Sequence, residues 1–173
     1  MSVLPAWATF PNPVNEKAAR AVAGGVALLT VVTLLLGLVS GDLLLGLTVL
    51  LAVGFAARTL AGPRFSLLGR LATQVVAPRL GRAKPVPGPP KRFAQSIGLV
   101  LTTAAAVVGL ATGLTVDTVV LLAVLLAFAI LESVFGFCAG CRIFGLLMNA
   151  GLIPADTCAD CQDIWARYGR PAS

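Results

Sequence analysis

Four cysteines stand in two pairs of identical spacing, Cys138-Ala-Gly-Cys141 and Cys158-Ala-Asp-Cys161. Two thiols separated by two residues can close a disulfide, exchange electrons with another dithiol, or offer two sulfurs to a metal ion. The 173 residues include no histidine, so the usual base at neutral pH and the commonest nitrogen ligand are both missing. Chemistry of this kind therefore falls on sulfur. Two readings compete. The Cys-x2-Cys-x16-Cys-x2-Cys spacing lies inside the window of four-cysteine zinc sites, with Cys138, Cys141, Cys158 and Cys161 as ligands. Residues 142–150 as a helix would rise about 13 Å, and 151–157 in extended form can return that far. The rival is a dithiol relay, with Cys138 or Cys158 as the attacking thiolate and Cys141 or Cys161 resolving. A third reading leaves four small hydrophobes that simply pack.

The surroundings of each pair differ. The first follows a long apolar run and is expected to continue that helix, which would set both sulfurs on one face near the headgroups. Arg142 favours the thiolate there, while Phe135, Phe137 and Phe144 oppose it by desolvation. Ahead of the second pair, Gly151 and Pro154 punctuate the chain, and Thr157-Cys-Ala-Asp160 fits a capping box. Cys158 is thus expected in the first turn of a short C-terminal helix running toward Arg167, where backbone amides and the helix dipole favour thiolate. Trp165 and Tyr168 would anchor that helix at the membrane surface. Glu132 is the one acid well inside an apolar span. An unpaired carboxylate is costly there, so it should find a partner, with Arg58 as the candidate. Its role is either a packing ion pair or proton handling for the thiols.

The elements that must position these groups belong in a bilayer. With 58% hydrophobic and 12% charged residues and a mean hydropathy of +0.95, the chain cannot cover its apolar surface with polar side chains. A helix crossing about 30 Å of hydrocarbon needs about 20 apolar residues, and four segments approach or reach that length: 18–39, 43–60, 93–114 and 118–137. The expected fold is all-α and integral to the membrane, two helical hairpins at 18–60 and 93–137. A tail (1–17), a basic loop (61–92) and a cysteine-containing tail (138–173) flank them. Residues 2–15 contain prolines and are not strongly apolar, so the first span reads as a retained helix rather than a cleaved signal.

Lysine and arginine gather in the N-terminal tail, the central loop and the C-terminal tail, whereas the hairpin loops 40–42 and 115–117 contain none. The positive-inside rule then predicts that both termini and both cysteine pairs face the cytoplasm, a reducing side where a permanent disulfide is not expected. The net charge of +6 and pI near 9.8 are explained by contact with lipid headgroups at Arg64, Arg70, Arg79 and Arg82, without nucleic acid. After Gly62-Pro63, the spacing of Phe65, Leu68, Leu71, Ala72 and Val75 predicts an interfacial helix over 64–77, with Arg70 and Gln74 opposite and Pro78 ending it. Residues 84–90 read as a stiff extended linker.

The halves also echo each other. Leu36-Gly-Leu-Val-Ser-Gly41 resembles Val108-Gly-Leu-Ala-Thr-Gly113, and Thr48-Val-Leu-Leu-Ala-Val53 resembles Val119-Val-Leu-Leu-Ala-Val124, a pattern suited to a parallel repeat. Small residues at Gly24, Gly25, Ala104, Ala105 and Ala106 suit close helix packing within one chain or in a homo-oligomer. A small-solute transporter would need a polar pathway, for which Glu132, Thr30, Thr33, Thr102 and Thr103 are the candidates.

Gly62-Pro-Arg-Phe-Ser66, Pro78-Arg-Leu80, Arg92-Phe-Ala-Gln95 and above all Gly136-Phe-Cys-Ala-Gly-Cys141 resemble the bacterial membrane proteins grouped as domain of unknown function 4395, over roughly residues 16–161. The resemblance implies four transmembrane helices, the bacterial plasma membrane and no established activity. It also implies thioredoxin-like or sulfurtransferase partners, hence thiol redox or sulfur relay. The second pair is then an addition to a shared core, so a four-cysteine metal site is not the family's common purpose.

Overall fold

The computed structural model describes residues 10–113 and 115–161, apart from the side chains of 61, 64, 155 and 159. Asn15 starts the first long helix by accepting a bond from the Lys17 amide (3.1 Å), with Glu16 in the first turn to oppose the dipole. This helix, α1, spans Glu16–Gly37. After a tight turn Ser40 caps α2 (Gly41–Ala61) in the same way, its hydroxyl accepting from the Asp42 amide. Prolines in the first turn, where no amide partner is needed, open α5 (Gly88–Thr112), and left-handed Gly113 closes it. The fourth long helix is α6 (Thr115–Phe135). All four are long and apolar enough to cross a membrane, and much of their outward surface is bare hydrocarbon, as at Leu28, Leu35, Val107, Leu110 and Val116. The chain is a four-span membrane protein.

Helix α1 packs chiefly on α6, and α2 chiefly on α5, a reciprocal arrangement that a two-fold axis between the hairpins produces. Both hairpin turns lie at one end, where Gly41, Asp42, Gly113 and Thr115 line a shared cavity, so the hairpins run parallel as the sequence echo predicts. Phe55, Leu122, Leu125 and Val26 form the centre of the core. Thr30, Thr33 and Thr102 are buried, but each hydroxyl donates to the carbonyl four residues earlier in its own helix, and Thr103 faces outward. Gly24 and Gly25 meet Ser133 and Leu68 of the same chain, and Ala105 and Ala106 are buried within it.

The opposite end holds the connections. A 3-10 turn (Pro63–Phe65) leads into α3 (Leu67–Leu71), a π turn (Ala72–Val76) and α4 (Ala77–Arg79), which form one short helical arm across α1. Its buried face is Gly69, Ala72 and Ala77, with Leu68 against the core. The expected face is therefore rotated: Phe65, Leu71 and Val75 point outward with Leu67, Arg70 and Gln74. The helix also runs through Pro78 to Arg79, because a proline in the first turn of α4 is tolerated. Arg70, Arg79 and Arg82 are exposed. The expected extended linker is shorter than predicted: Pro85–Val86 (β2) is extended and pairs antiparallel with Val14–Asn15 (β1), but Gly88 already belongs to α5. Glu16 fastens this ribbon by a 2.6 Å pair with Lys84.

Two further helical segments complete the end, α7 (Ala139–Asn149) and a 3-10 segment (Ala155–Cys161). The expected helix starting at the second pair is instead this 3-10 stretch, and Cys158 itself is non-helical (φ −145°, ψ 78°). The Thr157 amide, which a capping box would direct to Asp160, donates to the Pro154 carbonyl at 3.1 Å, and Asp160 accepts from Asn12 Nδ2 at 2.8 Å. Trp165, Tyr168 and Arg167 lie outside the described residues.

Candidate functional site

The motif Gly136-Phe-Cys-Ala-Gly-Cys141 builds a helix junction, and each of its glycines has a separate task. The fourth span does not continue through Cys138, contrary to the sequence expectation. It stops at Phe135 because Gly136 adopts φ +68°, a conformation that other residues resist. Arg20 of α1 completes the stop, donating from Nε and Nη2 to the Ser133 carbonyl (both 3.1 Å) and from Nη2 to that of Val134 (2.8 Å). A guanidinium at these terminal carbonyls offsets the negative end of the helix dipole. The chain then restarts as α7 with Cys138 at its N-cap, and the Cys141 amide donates to Cys138 Sγ at 3.3 Å. Gly140 is the contact with α5: a Cβ there would stand 2.6 Å from Ala94 Cα. Phe144, one turn on and buried, meets Phe93 with ring centroids 5.7 Å apart.

Both cysteine pairs are closed as disulfides, Cys138 with Cys141 (Cα–Cα 5.2 Å) and Cys158 with Cys161 (Cα–Cα 5.3 Å). They are brought to one place. Cys138, Cys141 and Cys161 line a cleft of about 540 Å³ together with Glu16, Lys91 and Arg142. Cys138 also lines a second, smaller cavity of about 60 Å³ toward the bundle core, shared with Gln95 and Glu132. Within each pair the first sulfur is the hidden one. Cys138 and Cys158 are 8% and 3% exposed, whereas Cys141 and Cys161 are half-buried.

Glu132 takes a partner that the sequence analysis missed. Lys91 Nζ donates to Glu132 Oε1 at 2.6 Å, and both side chains are largely buried. Arg58 is not that partner. Its Nε donates to Gln95 Oε1 (3.0 Å), its Nη1 to Ser66 Oγ (3.1 Å), and its guanidinium lies 4.4 Å over the Phe55 ring. The signal for Lys91 was present, since a basic residue just after two helix-starting prolines faces the end of a neighbouring span. Reading 84–90 as a linker hid it. Arg142 sits over Phe137 at 5.7 Å and beside the cleft.

With both disulfides closed, all four sulfurs are engaged with one another, and among the described residues no three Cys, Asp or Glu side chains gather at metal-ligand spacing. A four-sulfur zinc site would require both bonds to open.

A family model described as domain of unknown function DUF4395 matches residues 14–149. The chain belongs to that family. The match takes in the four spans, the Gly136–Cys141 junction and all of α7, but ends before Cys158, so the shared DUF4395 region is shorter at its C-terminal end than the resemblance suggested. No curated protein and no solved structure matches the chain.

Proposed function

We propose that this DUF4395 protein passes electrons between dithiols at the membrane surface, Cys138–Cys141 and Cys158–Cys161 acting in series through their common cleft. The observation that carries this reading is the opening of both disulfides onto one cavity, flanked by the cations Lys91 and Arg142. Burial reverses the division of labour expected for the first pair. A thiolate from a thioredoxin-like partner attacks the more accessible Cys141 Sγ. The S–S bond breaks, and Cys138 leaves as a thiolate at the start of α7, where the Cys141 amide points at it. The partner's second thiol then attacks the mixed disulfide and releases Cys141. The partner loses two electrons and two protons, and the pair gains them. Cys141 next attacks Cys161 Sγ, releasing Cys158. Cys138 closes back on Cys141, freeing Cys161 and leaving the second pair reduced for an external disulfide substrate. Glu132, holding Lys91 beside the cleft, is the group for proton handling. A sulfurtransferase partner would use the same Cys141 to receive sulfur.

The charge distribution supports a cytoplasmic site with both termini on that side, and the family resemblance is the support for the bacterial plasma membrane as its setting. The test is thiol counting on protein purified in detergent without chelator, incubated with reduced thioredoxin, alongside metal analysis. The relay predicts four new thiols and no stoichiometric metal. A thioredoxin whose second thiol is replaced should stay bound to the intact chain as a mixed disulfide on Cys141, whereas Cys141→Ser, which leaves no disulfide in the first pair, should retain none there. If a small reductant opens both pairs but the dithiol protein opens neither and its single-thiol form is not retained by the intact chain, the relay fails. Zinc at one per chain after reduction would transfer the four sulfurs to a structural metal site.

A further inference from the structure

Arg58 is 3% exposed in the last turn of α2, yet among the described residues none of its contacts is an anion: it meets Gln95, Ser66 and the Phe55 ring. The two acids that the spans themselves carry at this end are committed elsewhere among the described residues, Glu132 to Lys91 and Glu16 to Lys84. A cation buried in a membrane span without a counter-charge is expensive, and such residues mark binding sites. One side of the guanidinium is occupied by Gln95. The other, at Nη1, faces a groove of about 410 Å³ between α1, α2 and α3, at Ser66 and at Gly54, where a Cβ would lie 3.5 Å from Nη1. The rest of the groove is hydrocarbon from Leu29, Leu50 and Val53, all partly exposed on the outer surface.

We propose that this groove binds an anionic phospholipid, its phosphate on the Arg58 guanidinium and an acyl chain along the apolar wall of α2. The planar fork of arginine matches phosphate oxygens in pairs. Its depth fits as well. Arg58 lies one turn from the end of a helix long enough to span the hydrocarbon, which is where lipid phosphates begin. The chemistry is independent of the thiol relay.

Native mass spectrometry of the full chain, offered phosphatidylglycerol, phosphatidylcholine or palmitate, tests the site. Retention of phosphatidylglycerol should exceed that of phosphatidylcholine by about tenfold or more, because the choline ammonium brings a second cation beside the buried Arg58 guanidinium and cancels the phosphate charge. Arg58→Gln should abolish the preference, and Arg79→Gln, an exposed cation, should keep it. Gly54→Leu retains the charge but fills the head of the groove, so it decides the matter if Arg58→Gln does not fold. Equal retention of the two phospholipids, a preference that survives both Arg58→Gln and Gly54→Leu, or retention of palmitate in place of phosphatidylglycerol would overturn the proposal.

Discussion

The two halves of the molecule share a frame and differ in what they place at its open end. In each, a buried threonine of the first helix, Thr30 or Thr102, bonds back to its own backbone. In each, an arginine near the start of that helix reaches the last turn of the other hairpin: Arg20 the carbonyls of Ser133 and Val134, Arg92 that of Thr59. In each, the second helix runs into a glycine of positive φ, Gly62 or Gly136, and a short helix follows. The last turn before that glycine then diverges. The first half carries Arg58 among neutral groups beside an apolar groove, and the second carries Glu132 paired with Lys91 beside the cysteines. A fold of this kind fixes where a reactive group can sit, and a few side chains at the ends of the spans decide which chemistry sits there.

The sharpest way to break this contrast is to remove one charge from each half. Lys91→Met leaves Glu132 buried and unpaired, and should cost about 3–5 kcal/mol. Lys91→Met with Glu132→Leu should recover most of that loss, since an apolar pair of similar volume removes the stranded charge. Arg58→Gln strands no charge and leaves neutral groups that can bond to the new amide, so about 1–3 kcal/mol is expected. Unfolding in a single detergent measures all three. Equal losses for Lys91→Met and Arg58→Gln would mean that the two halves are electrostatically alike at their open end.

A second comparison sets the two capping arginines against each other. Arg20→Gln removes three bonds to the carbonyls that end α6, and should cost about 1.5–3 kcal/mol. It should also speed alkylation of Cys141 after reduction, because the turn that presents the first pair loses its brace. Arg92→Gln removes one bond to α2, so its cost should be smaller and the cysteines should not notice. Faster alkylation in both variants would point to general loosening rather than a local brace at Gly136.

The frame was legible in the sequence because the hydrocarbon requires runs of apolar residues that water-soluble folds avoid. All four spans fall within a few residues of their expected limits, except the start of α5, where four prolines in seven residues suggested a linker and instead lead into a helix start. The cysteine pairs were legible as motifs. Their setting was not, because Gly136 reads as an ordinary glycine unless one knows that Arg20, 116 residues earlier, waits at the carbonyls it exposes. Likewise the partner of Glu132 depended on which helix lay beside α6, and the rotated face of the α3 arm depended on which residues met α1. These are facts of packing between distant segments, which periodicity along the chain does not encode. The half-to-half echo was visible in the sequence, but the reciprocal arginines that give it physical meaning were not.

The second cysteine pair lies outside the two-half frame and outside the DUF4395 match, and so does the residue that tethers it. Asn12 precedes residue 14, where the match begins, and Asp160 follows residue 149, where it ends. Asn12 donates to Asp160 and also accepts from the Gly88 amide at 2.9 Å, so one side chain pins the C-terminal segment to the start of α5. Asn12→Ala should cost no more than about 1 kcal/mol of global stability, because few contacts of the bundle depend on it. Its effect should appear in the traffic between the pairs. With thioredoxin as reductant, Cys138–Cys141 should open at the normal rate while Cys158–Cys161 lags several-fold, since the second disulfide no longer stays at the mouth of the cleft. An unchanged lag would show that the second pair does not need the cleft to be reduced, and the serial order of the relay would have to be abandoned while the first pair kept its role.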